Sequence, residues 1–180
     1  MIMPAGLRKL ALTAHVTTSV GWLGAVAVFL ALALLGLAAP DAATVRGVYL
    51  VMEPVARSVL VPLALASLVT GVVQSLGTAW GLFRHYWVSV KLLITLVATA
   101  ILLKYMETFR SMAAAAADPA TDLEGVRNAS PALHAALALL ALVGTTGLAV
   151  YKPRGLTRYG WRKQQGLTRD GQGGWARRNG

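Results

Sequence analysis

The sequence predicts an all-α integral membrane protein, a four-helix bundle of antiparallel up-down topology, and three observations carry that expectation. The 180 residues are 56% hydrophobic and only 13% charged, with a mean hydropathy of +0.60, whereas a soluble domain carries about 25% charged residues. Four apolar segments, each near or above the roughly 20 residues that a bilayer core requires, take up most of the chain and leave no room for a soluble catalytic domain. The net charge of +10 is concentrated after the last of them, where membrane orientation explains it more simply than nucleic acid does. There is no cysteine, which excludes disulfide frameworks, thiolate metal sites and cysteine nucleophiles.

The first span, residues 10–37, is too long and too closely followed by other spans to be a cleaved signal peptide. Pro40-Asp41 closes it, and Asp41 is placed to N-cap a short helix containing Val45, Val48, Tyr49 and Met52. Pro54 breaks or kinks the approach to the second span, residues 58–80. A tight aromatic turn, Gly81-Leu82-Phe83-Arg84-His85, leads into the third span, residues 86–106, and the alanine run Ala113 to Ala117 extends that helix beyond the bilayer to Asp118-Pro119. Thr121-Asp122-Leu123-Glu124 reads as a capping box. Ser130-Pro131 supplies an N-cap and first-turn pair for the fourth span, residues 133–151. Residues 1–151 are thus expected to form the bundle and residues 152–180 a flexible basic tail.

Cation counting orients the bundle. With the N-terminus inside, the inner side holds eleven Lys and Arg residues, eight of them in the tail from Lys152 onward, and the outer side holds five. That bias predicts cytoplasmic N- and C-termini. The tail, Arg- and Gly-rich with Tyr159, Trp161 and Trp175, could contact RNA or anionic lipid. A solvated positive-inside tail whose aromatics touch headgroups is the simpler reading, and nucleic acid is not an expected partner.

Inside the spans, polar residues recur on one face of each helix. His15, Thr18, Ser19 and Trp22 follow i, i+3, i+4, i+7, and Ser67, Thr70, Gly71, Gln74 and Thr78 follow a similar spacing. Lys91, Thr95 and Thr99 form a third stripe, while the fourth span offers His134 on its outer half and Thr145 on its inner half. Counted from the nearest basic residues at about 1.5 Å per residue, His15, Lys91 and Thr145 lie about 9–11 Å inside one boundary, and Gln74 about 15 Å, level with Ser19. This shared depth makes His15, Trp22, Gln74, Lys91 and Thr145 the candidate site. Plainer roles compete: hydroxyl and amide side chains join helices, lysine snorkels, and Gly21, Gly24, Gly71, Gly77, Gly144 and Gly147 permit close packing. His85, at the turn, reads as interfacial.

The sequence has no H-E-x-x-H, no phosphate-cradling glycine loop and no G-x-S-x-G elbow. No two acids share a span, which argues against a carboxylate-based ion transporter. Three histidines on separate elements make structural zinc unfavourable. A bundle histidine beside glycines and aromatics is the usual equipment for haem iron, and a lysine at its level could pair a propionate. Spacing alone does not specify that cofactor.

Four motifs resemble those of the small four-span membrane proteins that include the HemJ-type protoporphyrinogen oxidase and CopD-like copper-resistance proteins, with the nearest likeness to their uncharacterised bacterial relatives. His15 to Gly24 resembles the pattern of a histidine, a tryptophan seven residues later, then glycine. Trp87-Val88-Ser89-Val90-Lys91 is similar to W-L-H-x-K, with Ser89 in place of histidine. Arg127, Asn128 and Pro131 resemble R-x-x-N-E-x-P, with Ala129 in place of glutamate, and Lys152-Pro153 resembles the K-P ending. The resemblance implies the fold, a bacterial inner-membrane location and b-type haem at His15, with membrane redox chemistry or electron transfer as the activity. Whether the chain is an enzyme stays open.

The alternative is copper handling, for which thioether and imidazole ligands suit Cu(I): Met52, Met106, Met112 and His134 all fall near the outer span ends. A third reading is a membrane assembly subunit without a ligand. Expected partners are the bilayer, a redox partner or small hydrophobic substrate, and, as a further option, a second copy of the chain.

Overall fold

One seam along the first helix organises the molecule. In the computed structural model, which describes residues 3–78, 81–153, 155–162 and 165, α1 spans Ala5–Ala38 and buries Trp22, Val26, Phe29, Ala33 and Gly36. Those positions advance by four and three alternately, the spacing of a stripe that faces neighbouring helices along its length. Continued toward the N-terminus, the same stripe carries Ser19, Thr18 and His15. The bundle interior is therefore apolar over most of its length and polar near the N-terminus of α1.

Helix α2 (Ala42–Val55) opens at Asp41, whose carboxylate accepts from the Thr44 N–H at 2.8 Å. That N–H holds the Asp41 carboxyl below its ordinary range, so the cap is intact at neutral pH and is lost as pH falls through the lowered value. Pro54 does not end the helix. It lies inside α2, followed by a π-helical turn (Ala56–Leu60) and then α3 (Val61–Leu76), which has Pro62 in its first turn. Proline lacks an N–H and its ring crowds the carbonyl one turn back, and a wide turn relieves both conflicts. The buried residues show the result. Met52, Ala56, Leu60 and Ala64 succeed one another in fours, a spacing that would drift about 40° per step on an ideal α-helix. The wider turn takes up that drift.

Helix α4 (Tyr86–Ala117) continues through the alanine run, and the short α5 (Leu123–Val126) and α6 (Ser130–Tyr151) follow. The cap of α5 is Asp122, accepting from Gly125 N at 2.7 Å, rather than Thr121. Ser130 lies just inside α6 rather than before it. Lys152 ends α6 in the left-handed region (φ 44°), with Pro153 behind it to prevent continuation.

Two arginines fasten the end of the bundle where α1 and α4 finish. Arg46 donates to the carbonyl oxygens of Ala116 (3.0 Å), Asp118 (2.8 Å) and Thr121 (2.5 Å). Arg127 donates to those of Leu37 and, at 2.7 Å, Ala39. Both forks thus satisfy carbonyls that a helix end leaves without intrahelical partners. Beside them the buried Tyr49 hydroxyl donates to Asn128 O (3.2 Å) and accepts from Asn128 N (3.0 Å). Gly36 permits the close approach of α1 and α2: a Cβ would stand 3.2 Å from both Tyr49 and Val48, tighter than ordinary contact.

At the opposite end Met3 N donates to Gly77 O (3.1 Å). Residues 155–162 return to this end, where Thr157 N and Oγ1 donate to Arg84 O (3.0 Å) and Phe83 O (2.5 Å) and Leu156 bridges His85. The tail therefore begins as a docked segment. Its remainder, with Trp175 and most of its arginines, lies outside the described residues, as does Trp80 at the expected end of the second span.

Four helical stretches, Ala5–Ala38, Ala42–Leu76, Tyr86–Ala117 and Leu123–Tyr151, are long and apolar enough to cross a membrane. Their outward surfaces are apolar: Leu140 and Val150 are each 70% exposed and Val69 60%. Water would oppose that arrangement and lipid favours it. The chain is a multi-pass integral membrane protein built as a helical bundle.

Candidate functional site

The polar seam assembles from three helices. From α1, His15 Nδ1 lies 3.2 Å from Thr70 Oγ1 on α3. Thr18 Oγ1 lies 3.3 Å from the same oxygen, and Ser19 Oγ 2.8 Å from Ser67 Oγ. From α4, Lys91 Nζ reaches His15 Nε2 at 3.5 Å. Gly71 completes the enclosure, because a Cβ there would stand 3.0 Å from His15 Cε1. A bulkier residue would push α3 off the imidazole.

The hydrogen-bond pattern assigns the imidazole tautomer. Thr70 Oγ1 donates to the Ala66 carbonyl at 2.6 Å, which commits its one proton to its own helix. It can therefore only accept from His15, so Nδ1 carries the hydrogen and Nε2 keeps its lone pair. That lone pair faces the Lys91 ammonium across a distance at the long limit for a hydrogen bond. An Nδ1–H held by a fixed acceptor while Nε2 stays available is how proteins orient a metal-binding histidine.

One turn beyond Ser19, Trp22 is 2% exposed and its Nε1 has no hydrogen-bond partner among the described residues. Buried indole N–H groups ordinarily find an acceptor. The seam thus holds an imidazole nitrogen met only by the Lys91 ammonium at the long limit of a hydrogen bond, and an orphaned indole N–H. Among the described residues the acids Asp41, Asp118, Asp122 and Glu124 fall at helix ends, while Glu53 and Glu107 pair with Arg57 and Arg110 close to them in sequence. The donor set suits a ligand that combines a metal centre with negative charge.

Of the five residues singled out from sequence, the structure joins His15 and Lys91 directly and leaves Trp22 on the same face of α1. Gln74 is half-buried one turn past Thr70 and makes no bond to the cluster. Its expected level with Ser19 is corrected: Ser19 pairs with Ser67, two turns away. The depth count treated every residue from Gln74 to Arg84 as helical, whereas α3 ends at Leu76 and the chain then turns. Thr145 is buried, but its hydroxyl donates to Leu142 O of its own helix at 2.9 Å. His85 precedes α4 at the turn.

The residues of the copper reading lie elsewhere. Met52 is buried in the apolar core, with Met106 half-buried against it. His134 directs Nδ1 to Ser130 O at 2.8 Å. Among the described residues no three His, Asp or Glu side chains group to hold a metal ion.

The gathering of Thr70 and Gly71 around His15 escaped the sequence reading as a unit, although both lay on a recognised stripe. The missing information was the register between α1 and α3. No family model, curated protein or solved structure matches the chain.

Proposed function

We propose that this membrane protein binds b-type haem in the polar part of its bundle, where His15 would ligate the iron and Lys91 would pair a propionate. The role is electron transfer or oxidation of a small hydrophobic substrate in the membrane. The observation that carries the reading is the His15 Nε2 lone pair, left available by the Nδ1–H to Thr70 and met by Lys91 across 3.5 Å. Haem, when bound, supplies one-electron redox chemistry at a potential tuned by its axial ligand and surroundings.

The chain's own residues have definite tasks in this reading. Thr70 fixes the ring orientation of His15, and Gly71 keeps α3 close enough to hold it. Lys91 has a flexible stem, so its ammonium can leave Nε2 for an anionic group without displacing a helix. The Trp22 N–H offers a further donor. The resemblance of His15, Trp22, Trp87 and Lys91 to the HemJ-type motifs supports the same assignment.

A visible spectrum of the detergent-purified protein, with and without dithionite, tests the proposal. A Soret band that shifts on reduction is expected. A colourless protein, still colourless after expression with added haem precursor, overturns it and leaves copper handling or an assembly role.

For orientation, the cation bias supports cytoplasmic termini in a bacterial inner membrane. Reporter fusions at Gly180 and within residues 118–124 are expected to mark opposite sides, with the C-terminus inside. A C-terminus outside overturns this orientation.

A further inference from the structure

A cavity of about 70 Å³ opens in the other half of the bundle, walled by Phe29, Tyr105, Phe109 and His134 with Ile101 and Ala135 beside them. It shares no residue with the His15 cluster. We infer that it binds a membrane-soluble phenol or quinol, whose ring hydroxyl donates to Nε2 of His134.

The tautomer of His134 is set by its own helix, independently of His15. The Ser130 carbonyl, 2.8 Å from His134 Nδ1, can only accept, so Nδ1 carries the hydrogen and Nε2 presents a lone pair. Nε2 has no hydrogen-bond partner among the described residues, while the ring is held in place. It lies against Tyr105 with centroids 4.4 Å apart, and the Tyr105 hydroxyl bonds Ser130 Oγ at 2.8 Å. A fixed acceptor therefore stands at the edge of an apolar chamber.

The walls select the rest of the ligand. Phe29 and Phe109 meet edge to face at 5.7 Å, and Tyr105 and Phe109 at 5.0 Å, an arrangement that favours another flat ring. The volume is about half the ~150 Å³ that encloses benzene, so a ring enters by its hydroxylated edge and its remainder stays outside. Ile101 at the wall is 50% exposed, which places that remainder among acyl chains. His134 opens the second turn of α6, and the lining runs along α4 from Ala98 to Phe109, about 16 Å. A polar head at one end and an apolar body along the helix match this layout. An acyl chain brings no donor for Nε2, and a lipid phosphodiester only accepts.

The probe is a radiolabelled para-alkyl phenol, compared with its methyl ether, in saturation binding to the full-length protein in phosphatidylcholine nanodiscs. Saturable phenol binding is expected, with the ether about tenfold weaker because it cannot donate. His134→Phe keeps the aromatic contact with Tyr105 and is expected to bind both probes alike, and Ala135→Leu is expected to reduce binding of both. Equal affinity of the wild type for phenol and ether overturns the inference, as does uptake that never saturates, the behaviour of a cavity filled by lipid. The wild-type comparison needs no variant to fold. Because the readout is independent of colour, its failure and that of the haem proposal are distinguishable.

Discussion

Replacing His15 with alanine is expected to abolish the Soret band and to destabilise the protein by about 1–3 kcal/mol, the cost of leaving buried polar groups unpaired. The two effects have separate origins. The spectral loss follows from removing the imidazole that would ligate iron. The stability loss follows from the groups left behind: Thr70 Oγ1 loses the Nδ1–H at 3.2 Å, and the Lys91 ammonium loses its acceptor at 3.5 Å. Absorption spectra and thermal unfolding of one detergent preparation measure both. A Soret band of unchanged position and intensity in His15→Ala would remove His15 as the ligand, whatever happened to stability.

Lys91→Met is expected to move stability and ligand retention in opposite directions. A lysine at the bilayer centre costs about 2.5–3.5 kcal/mol on insertion scales. Lys91 is half-buried in the second turn of α4, so relief of about 1–2 kcal/mol is the appropriate scale, a rise of about 2–8 °C in midpoint for a chain of this size. Haem retention should fall, though less than in His15→Ala, because propionates can also find water or the basic residues at that end. A lysine kept only for snorkelling would give the stabilisation without the loss of retention. The double variant should deviate from additivity, since the two side chains touch.

Much of this architecture was legible in the sequence because a helix repeats with a fixed period. The stripe of His15, Thr18, Ser19 and Trp22 needs only that period, and so does the alignment of Ser67, Thr70 and Gly71. What lies between helices was less accessible. Gln74 was set too deep because residues after Leu76 were counted as helical rise, although α3 ends at Leu76. Arg46 and Arg127 entered the reading as charges that orient the chain, and Arg127 also as part of a motif. Their role as caps depends on carbonyls 70–90 residues away in sequence. The Tyr105–His134 contact likewise joins two helices whose register no local pattern specifies. Helix N-caps fell between these cases: Asp41 has an unambiguous pattern, whereas Thr121-Asp122 offers two adjacent capping residues and the structure uses the second.

The π-helical turn at Ala56–Leu60 acts as gearing within the 35-residue stretch from Ala42 to Leu76. It takes up an extra residue without breaking the rod, so that Val48 and Tyr49 before it and Ser67 and Thr70 after it can all address α1. Loss of one residue from the π-turn itself would close it to an α-turn of nearly the same sweep, whereas loss of one residue from the regular helix just after it, at 61–63, would rotate everything downstream by about 100°. Thr70 would swing away from His15 while Tyr49 kept its place beside Gly36, and the imidazole would lose the acceptor that selects its tautomer. Seven residues of helical rise, about 10 Å, separate Leu63 from Thr70, so backbone length acts on the imidazole from outside its own contacts. Chain length between this turn and Thr70 is as much a determinant of the site as the side chains that line it.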